Sequence, residues 1–374
     1  MELVYNILEA AYYDDNFEPN IGLLKNCSVV CKDWAVPAQK LLFRQVSLRT
    51  EMAFKGFKRA VDRRTSRGRT LGDAVLRLRI TLDHNQPYGL THHSFANAIL
   101  LCPNLYELNL SLYGRGASGA DLTGLPDVLR MSRPAPSFDA SILAVLRSGP
   151  QISSLQFSNW SENSNITLQL LSIWPSLTSL ALQGIPPPPP SASGLDLLPF
   201  PCALREFRMN FQTTPSLDFV RWLLYKSSHS LRMLELAREP SVSLLDYLVN
   251  THGAALESLA LPACGSQDHA MAVRRCVSLR EFRIESPWLA PSVFKKLPRT
   301  LEHIAFGVNE DTPLSVLVDT INSRRGLRAV TVHLWNGGEQ HAALAKLRKV
   351  CTMRGIELVM TTDVQRFRLM NVSR

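Results

Sequence analysis

A six-residue pattern, apolar-x-x-apolar-x-apolar, recurs through about three quarters of this chain and constrains its fold more than any other feature. It reads VLRLRI from Val75, LYELNL from Leu105, ISSLQF from Ile152, LTSLAL from Leu177 and LREFRM from Leu204. It continues as LRMLEL from Leu231, LESLAL from Leu256, LREFRI from Leu279, LEHIAF from Leu301 and LRAVTV from Leu327. From Ile152 onward, successive copies stand 25, 27, 27, 25, 23, 22 and 26 residues apart. Even spacing of this kind marks stacked supersecondary units. An ordinary doubly wound α/β core is the alternative, but it requires no constant period.

The last three pattern residues alternate apolar-x-apolar, the period of a strand with one buried face. Between copies the spacing turns helical. SLDFVRWLLYKSS sets Leu217, Val220, Leu223 and Leu224 on one side, with Ser216 as N-cap. LSVLVDTINSRRG ends in Arg324, Arg325 and Gly326, and EQHAALAKLRKVCTMRG stops at Gly355 before IELVM. Cations and glycine suit a helix C-terminus. Each unit is thus a short strand, a turn and a helix, too small to bury its own apolar face. Stacking forms one parallel sheet with helices outside it. The pattern resembles that of leucine-rich repeat proteins of the α/β horseshoe kind. The asparagine usual in that repeat is missing from most copies, which implies an irregular arc.

Two stretches break the rhythm. SLYGRGASGADLTGLPD and RPAPS, between Leu105 and Ile152, read as a loop or a degenerate repeat. GIPPPPPSASG after Leu182 is too rich in proline for helix or strand. It reads as a surface excursion, with an SH3-type ligand as the alternative.

The first 45 residues lack the repeat and read as three short helices. Running into CSVVCKDWAVPAQKLLF, from Cys27 to Phe43, the residues Leu23, Leu24, Cys27, Val30, Cys31 and Trp34 form one apolar stripe on a helix. Pro37 would break that helix, and it suits the first turn of a following one. Both cysteines are expected in the core, because nothing nearby would activate a thiolate or complete a metal shell.

ELVYNIL followed by LLKNCSVVCKDWAVPAQKLLFRQVSL resembles the F-box as carried by many mushroom-type fungal proteins. The resemblance is specific over residues 2–48. A repeat array behind it matches the F-box plus leucine-rich repeat arrangement. The family's Leu-Pro ahead of the Glu-Leu pair has no counterpart here, where the chain reads Met1-Glu2-Leu3. The resemblance implies an F-box over 1–50, a basic linker or connecting helix over 51–74, and repeats over 75–374. It further implies that Leu3, Ile7, Leu8, Val29, Val30, Cys31 and Trp34 form or support a surface for a Skp-type adaptor. The chain would then be the substrate-recognition subunit of an SCF-type cullin-RING ubiquitin ligase. A free-standing repeat scaffold that binds proteins without a ligase is the alternative.

Within the pattern, the third and fifth positions point to the concave side, away from the core. From Leu204 on they present Glu206, Arg208, Glu235, Glu281, Arg283 and His303, with His333 just beyond the last pattern. A face of mixed charge suits a folded protein or peptide, and its glutamates would repel a phosphate backbone. The formal charge is +9, but KGFKRAVDRRTSRGR, residues 55–69, holds seven basic residues and one aspartate, leaving about +3 elsewhere. That run is expected on solvated helix or linker surface, with nucleic-acid binding or nuclear import as alternatives.

Seven cysteines, an odd number without a Cys-x-x-Cys pair, fit reduced thiols. No secretory leader or membrane-length apolar run is legible, so the cytosol or nucleus is the expected compartment. Nucleophile elbows, phosphate-cradling glycine loops and zinc-protease motifs are absent from the sequence, and no enzyme activity, cofactor or metal is expected.

Overall fold

The computed structural model describes residues 2–13, 19–115, 134–189, 198–288, 290–295 and 297–369. Both rhythm-breaking stretches fall partly outside these residues. The chain forms two compact units, Met1–Cys202 with Phe211–Pro215, and Ala203–Asn210 with Ser216–Arg374. Both have the α/β architecture of leucine-rich repeats: parallel strands in sequence order, with helices in the connections.

The first unit opens with three helices, α1 (Glu2–Ala10), α2 (Ile21–Cys27) and α3 (Lys32–Arg44). It continues with β1 (Gln45–Leu48), α4 (Glu51–Ala60), α5 (Ser66–Ala74), β2 (Arg77–Asp83), α6 (His92–Leu100), β3 (Glu107–Tyr113), α7 (Ala140–Ser148), β4 (Ser154–Trp160), α8 (Asn165–Leu171) and β5 (Ser179–Gly184). The second unit runs β6 (Glu206–Phe211), α9 (Leu217–Leu223), β7 (Met233–Leu236), α10 (Val242–His252), β8 (Ser258–Leu261), α11 (Gln267–Arg274), β9 (Glu281–Ile284), α12 (Pro291–Lys295), β10 (His303–Val308), α13 (Leu314–Ser323), β11 (Ala329–Leu334), α14 (Leu344–Arg354), β12 (Glu357–Thr361) and α15 (Val364–Leu369).

All ten strands read from the pattern are present, and each starts on its third pattern residue. The first, fourth and sixth pattern residues make the core. Leu204, Phe207, Leu231, Leu234, Leu256 and Leu259 are completely buried. Register follows the pattern, with Phe207 beside Leu234, Leu234 beside Leu259 and Leu259 beside Phe282. One backbone carbonyl per repeat accepts two N–H groups from the next, as when Arg232 and Met233 both donate to Arg205 and Glu257 and Ser258 both donate to Arg232. Side chains beside these carbonyls form a second ladder of pairs, Arg232–Glu257 at 3.5 Å and Arg280–Glu302 at 2.7 Å.

Helix signals hold where expected. The Ser216 hydroxyl accepts from the Phe219 N–H and caps α9. Gly355 ends α14 in the left-handed region with φ of 64°. Arg324 differs from the expected role, because its guanidinium reaches the carbonyls of Leu297 and Pro298 in the preceding repeat rather than its own helix end.

β1 is an addition to the sequence reading. It pairs with β2, Val46 beside Leu78, so a strand directly follows the three-helix segment. Residues 51–74 form the two helices α4 and α5, with Phe54 and Phe57 buried and Lys55, Lys58, Arg64 and Arg67 exposed.

The expected single helix through Cys27 and Trp34 is corrected. α2 ends at Cys27, a turn covers residues 28–30, and Cys31 is the N-cap residue of α3. Cys27 lies in the core, but Cys31 is exposed. Pro37 sits inside α3, not at the start of a new helix. It lies in the second turn and cannot donate to the carbonyl of Asp33, an exposed residue.

Candidate functional site

The three-helix segment is apolar on two sides. Leu8, Tyr12, Leu24, Cys27, Ala38 and Leu41 form its interior, with Trp34 packed against them. α3 contacts α1, α2 and α5, so the segment leans on the first repeat. Arg44 links the ends, pairing with Glu9 at 2.8 Å and lying over the Tyr12 ring. On the outside, Leu3 and Ile7 occupy one face of α1, and Val29 and Val30 project from the turn at 82% and 66% exposure. Ile21 and Val36 add to this exposed apolar set and were not singled out in the sequence. Thus Leu8 and Trp34 are support, whereas Leu3, Ile7, Val29, Val30 and Cys31 are surface. Val29 and Val30 are adjacent exposed apolar residues at the turn between α2 and α3.

The concave side of the second unit carries an ion-pair network. Glu235 lies between Arg283 at 2.8 Å and Arg208 at 3.6 Å, and Glu206 is 4.0 Å from Arg208. A small recess beside it is lined by Met233, Glu235, Ser258, Glu281, Arg283 and His303. Glu281, His303 and His333 are on the expected face, but they are buried rather than open. Parallel strands stack like positions side by side, so each long side chain covers its neighbour. His303 shares a 2.9 Å hydrogen bond with the Thr331 hydroxyl. Burial pushes its pKa below the ordinary value, with Glu281 opposing and Arg283 assisting.

His333 has a second cover, which sequence reasoning missed. After β12, Asp363 caps α15 through its carboxylate, which accepts from the N–H groups of Gln365 and Arg366. The helix folds back over β11 and β12. Phe367 is completely buried and stacks on His333, ring centroids 5.3 Å apart, and Trp335 meets the same imidazole edge to face. Arg368 grips Glu285 through two hydrogen bonds of 2.6 Å. Arg283 donates to the Arg368 carbonyl. The Asp cap followed by VQRFRL was the available signal for a helix, but nothing local tells where it lands.

The first unit has its own polar concave patch, at the same pattern positions in the copies from Val75, Leu105 and Ile152. Arg77 pairs with Glu107 at 3.3 Å and donates to the Tyr13 hydroxyl. Asn109 donates to Gln156, which donates to Glu107. Arg79 is exposed beside them.

Little else has the makings of a reactive site. Cys102, Cys264 and Cys276 are buried, and burial pushes their thiols up to about 12, away from thiolate chemistry. His84 and His92 meet edge to face at 5.3 Å, and burial pushes His92 down to about 4. Among the described residues, no group of three or more His, Cys, Asp or Glu side chains gathers as a metal would need. No helix among them is long and apolar enough to cross a membrane.

No protein-family model matches the chain, and no curated protein matches it. A solved structure, the crystal structure of the Rad7 and Elc1 complex in yeast, is similar at 16% identity and a TM-score of 0.43, covering 96% of this chain and 92% of that chain. A likeness at that level carries no functional weight.

Proposed function

We propose that this chain is the substrate-recognition subunit of a cullin-RING ubiquitin ligase of the SCF type. The three-helix segment docks on a Skp-type adaptor, and the repeats hold a target protein. The observation that carries the reading is the exposed apolar set Leu3, Ile7, Val29 and Val30, on a segment whose sequence over residues 2–48 resembles the F-box. Exposed apolar side chains on a small helical unit with its own interior are what a docking surface supplies. The chain performs no chemistry in this role. It raises the concentration of the target near a ubiquitin donor held elsewhere in the assembly.

The test is co-purification of the full chain with a fungal Skp-type adaptor, beside the double variant Val29→Asp, Val30→Asp. Both valines are exposed, so the fold should be indifferent to the change. The expected result is capture by the native chain and at least a ten-fold loss with the variant, equivalent to about 1.4 kcal/mol or more. Equal capture of both would refute the assignment of this surface. Capture of neither would favour the free-standing scaffold.

A further inference from the structure

The second unit's concave face is partly filled by the chain itself. Four features of that contact read as recognition of a peptide. The Phe367 ring is buried and stacked on His333, whose imidazole also meets Trp335. The Arg368 guanidinium meets the Glu285 carboxylate in the two-pronged geometry that selects arginine over lysine. Arg283 donates to a main-chain carbonyl of the occupant, a contact indifferent to that residue's side chain. Glu285 is itself set in place, because its backbone carbonyl accepts from the Trp335 indole at 3.0 Å. The described part of the occupant, Val364–Leu369, is held to the strands by these side-chain and main-chain contacts. Beyond the Arg283 side chain the same face continues into the recess with Glu235, Ser258 and Met233, so a longer segment would find further polar partners.

We propose that the face formed by Arg283, Glu285, His333 and Trp335 is a recognition site for a short helical segment carrying an aromatic residue followed by arginine, and that α15 is its internal occupant. This rests on the reading above that the repeats hold a target. It adds the chemistry of the target segment and a means of control, since a target must displace α15 before it binds. A target lacking the aromatic-arginine pair gains neither the ring contact nor the carboxylate clasp and leaves α15 in place.

The experiment uses full-length chains and a fluorescent synthetic peptide of residues 361–369, read by anisotropy. α15 is released by Arg368→Glu, and separately by Phe367→Ser with Arg368→Glu. Arg368 is half-exposed, so the single variant keeps the fold even if loss of the buried ring does not. Circular dichroism melts verify this. The released chain should bind the peptide at least ten-fold more tightly than the native chain, and a peptide carrying Glu in place of the clasping arginine should lose that binding. Three results would each overturn the proposal: no binding to a folded released chain, equal binding to native and released chains, or retained binding of the Glu peptide. Adaptor capture is scored separately on the same variants. Loss of peptide binding with capture intact condemns this inference alone. Peptide binding without capture condemns the ligase reading and leaves the site standing.

Discussion

Replacing Leu110 and Ser111, neighbours on β3, tests the alternation on which the fold depends. Leu110 is completely buried, with Ile80 beside it on β2 and Phe157 on β4. Those two side chains are themselves buried and fixed by parallel ladders, so neither can move far into a void. Leu110→Ala therefore costs the lost transfer energy plus most of the cavity term, about 3 to 4 kcal/mol. Ser111 faces the concave side and is half-buried. Ser111→Ala should stay within about 0.5 kcal/mol. In equilibrium urea unfolding followed by circular dichroism, the midpoint shift multiplied by the measured m-value should give about 3 to 4 kcal/mol for Leu110→Ala and about 0.5 kcal/mol or less for Ser111→Ala. Comparable shifts, or a larger one for Ser111→Ala, would show that the strand register is wrong.

Two glycines with positive φ should respond differently to alanine. Gly184, at φ of 90°, would drive its added Cβ into the Asn159 carbonyl oxygen, so Gly184→Ala should cost about 3 kcal/mol or more in the same unfolding assay. Gly355 has open space around it, so Gly355→Ala should cost only the left-handed backbone penalty of about 1 kcal/mol, and equal losses would contradict this account. Stability should also fall in acid. Burial depresses the pKa of His84, His92, His252 and His303 below the unfolded value of about 6.5. Between that value and the folded one, about 4 for His92, the unfolded chain binds more protons. The stabilisation is therefore full above 6.5 and lost as pH falls. The melting temperature should drop between pH 7.5 and 5.5, and a rise would contradict these burials.

The repeat core was legible because it is local. Ten strands start where a six-residue pattern places them, and the caps at Ser216 and Gly355 follow from residue type. β1 was missed because QVSL offers only two alternations and follows a helix without a breaker. The break at residues 28–30 was missed because Val30 and Cys31 are apolar in the register of a continuing helix, whereas the chain turns and leaves them outside. The concave face was read as a face, but the burial of Glu281, His303 and His333 was not. Periodicity tells which way a side chain points. It is silent on what returns from afar to cover it, as Phe367 and Arg368 do.

The most direct test of the functional reading is hydrogen–deuterium exchange of the full chain with and without the Skp-type adaptor. The account predicts added protection confined to residues 2–10 and 21–36, around Leu3, Ile7, Val29 and Val30, with the repeat strands unchanged. Protection elsewhere, or none at saturating adaptor, would contradict it.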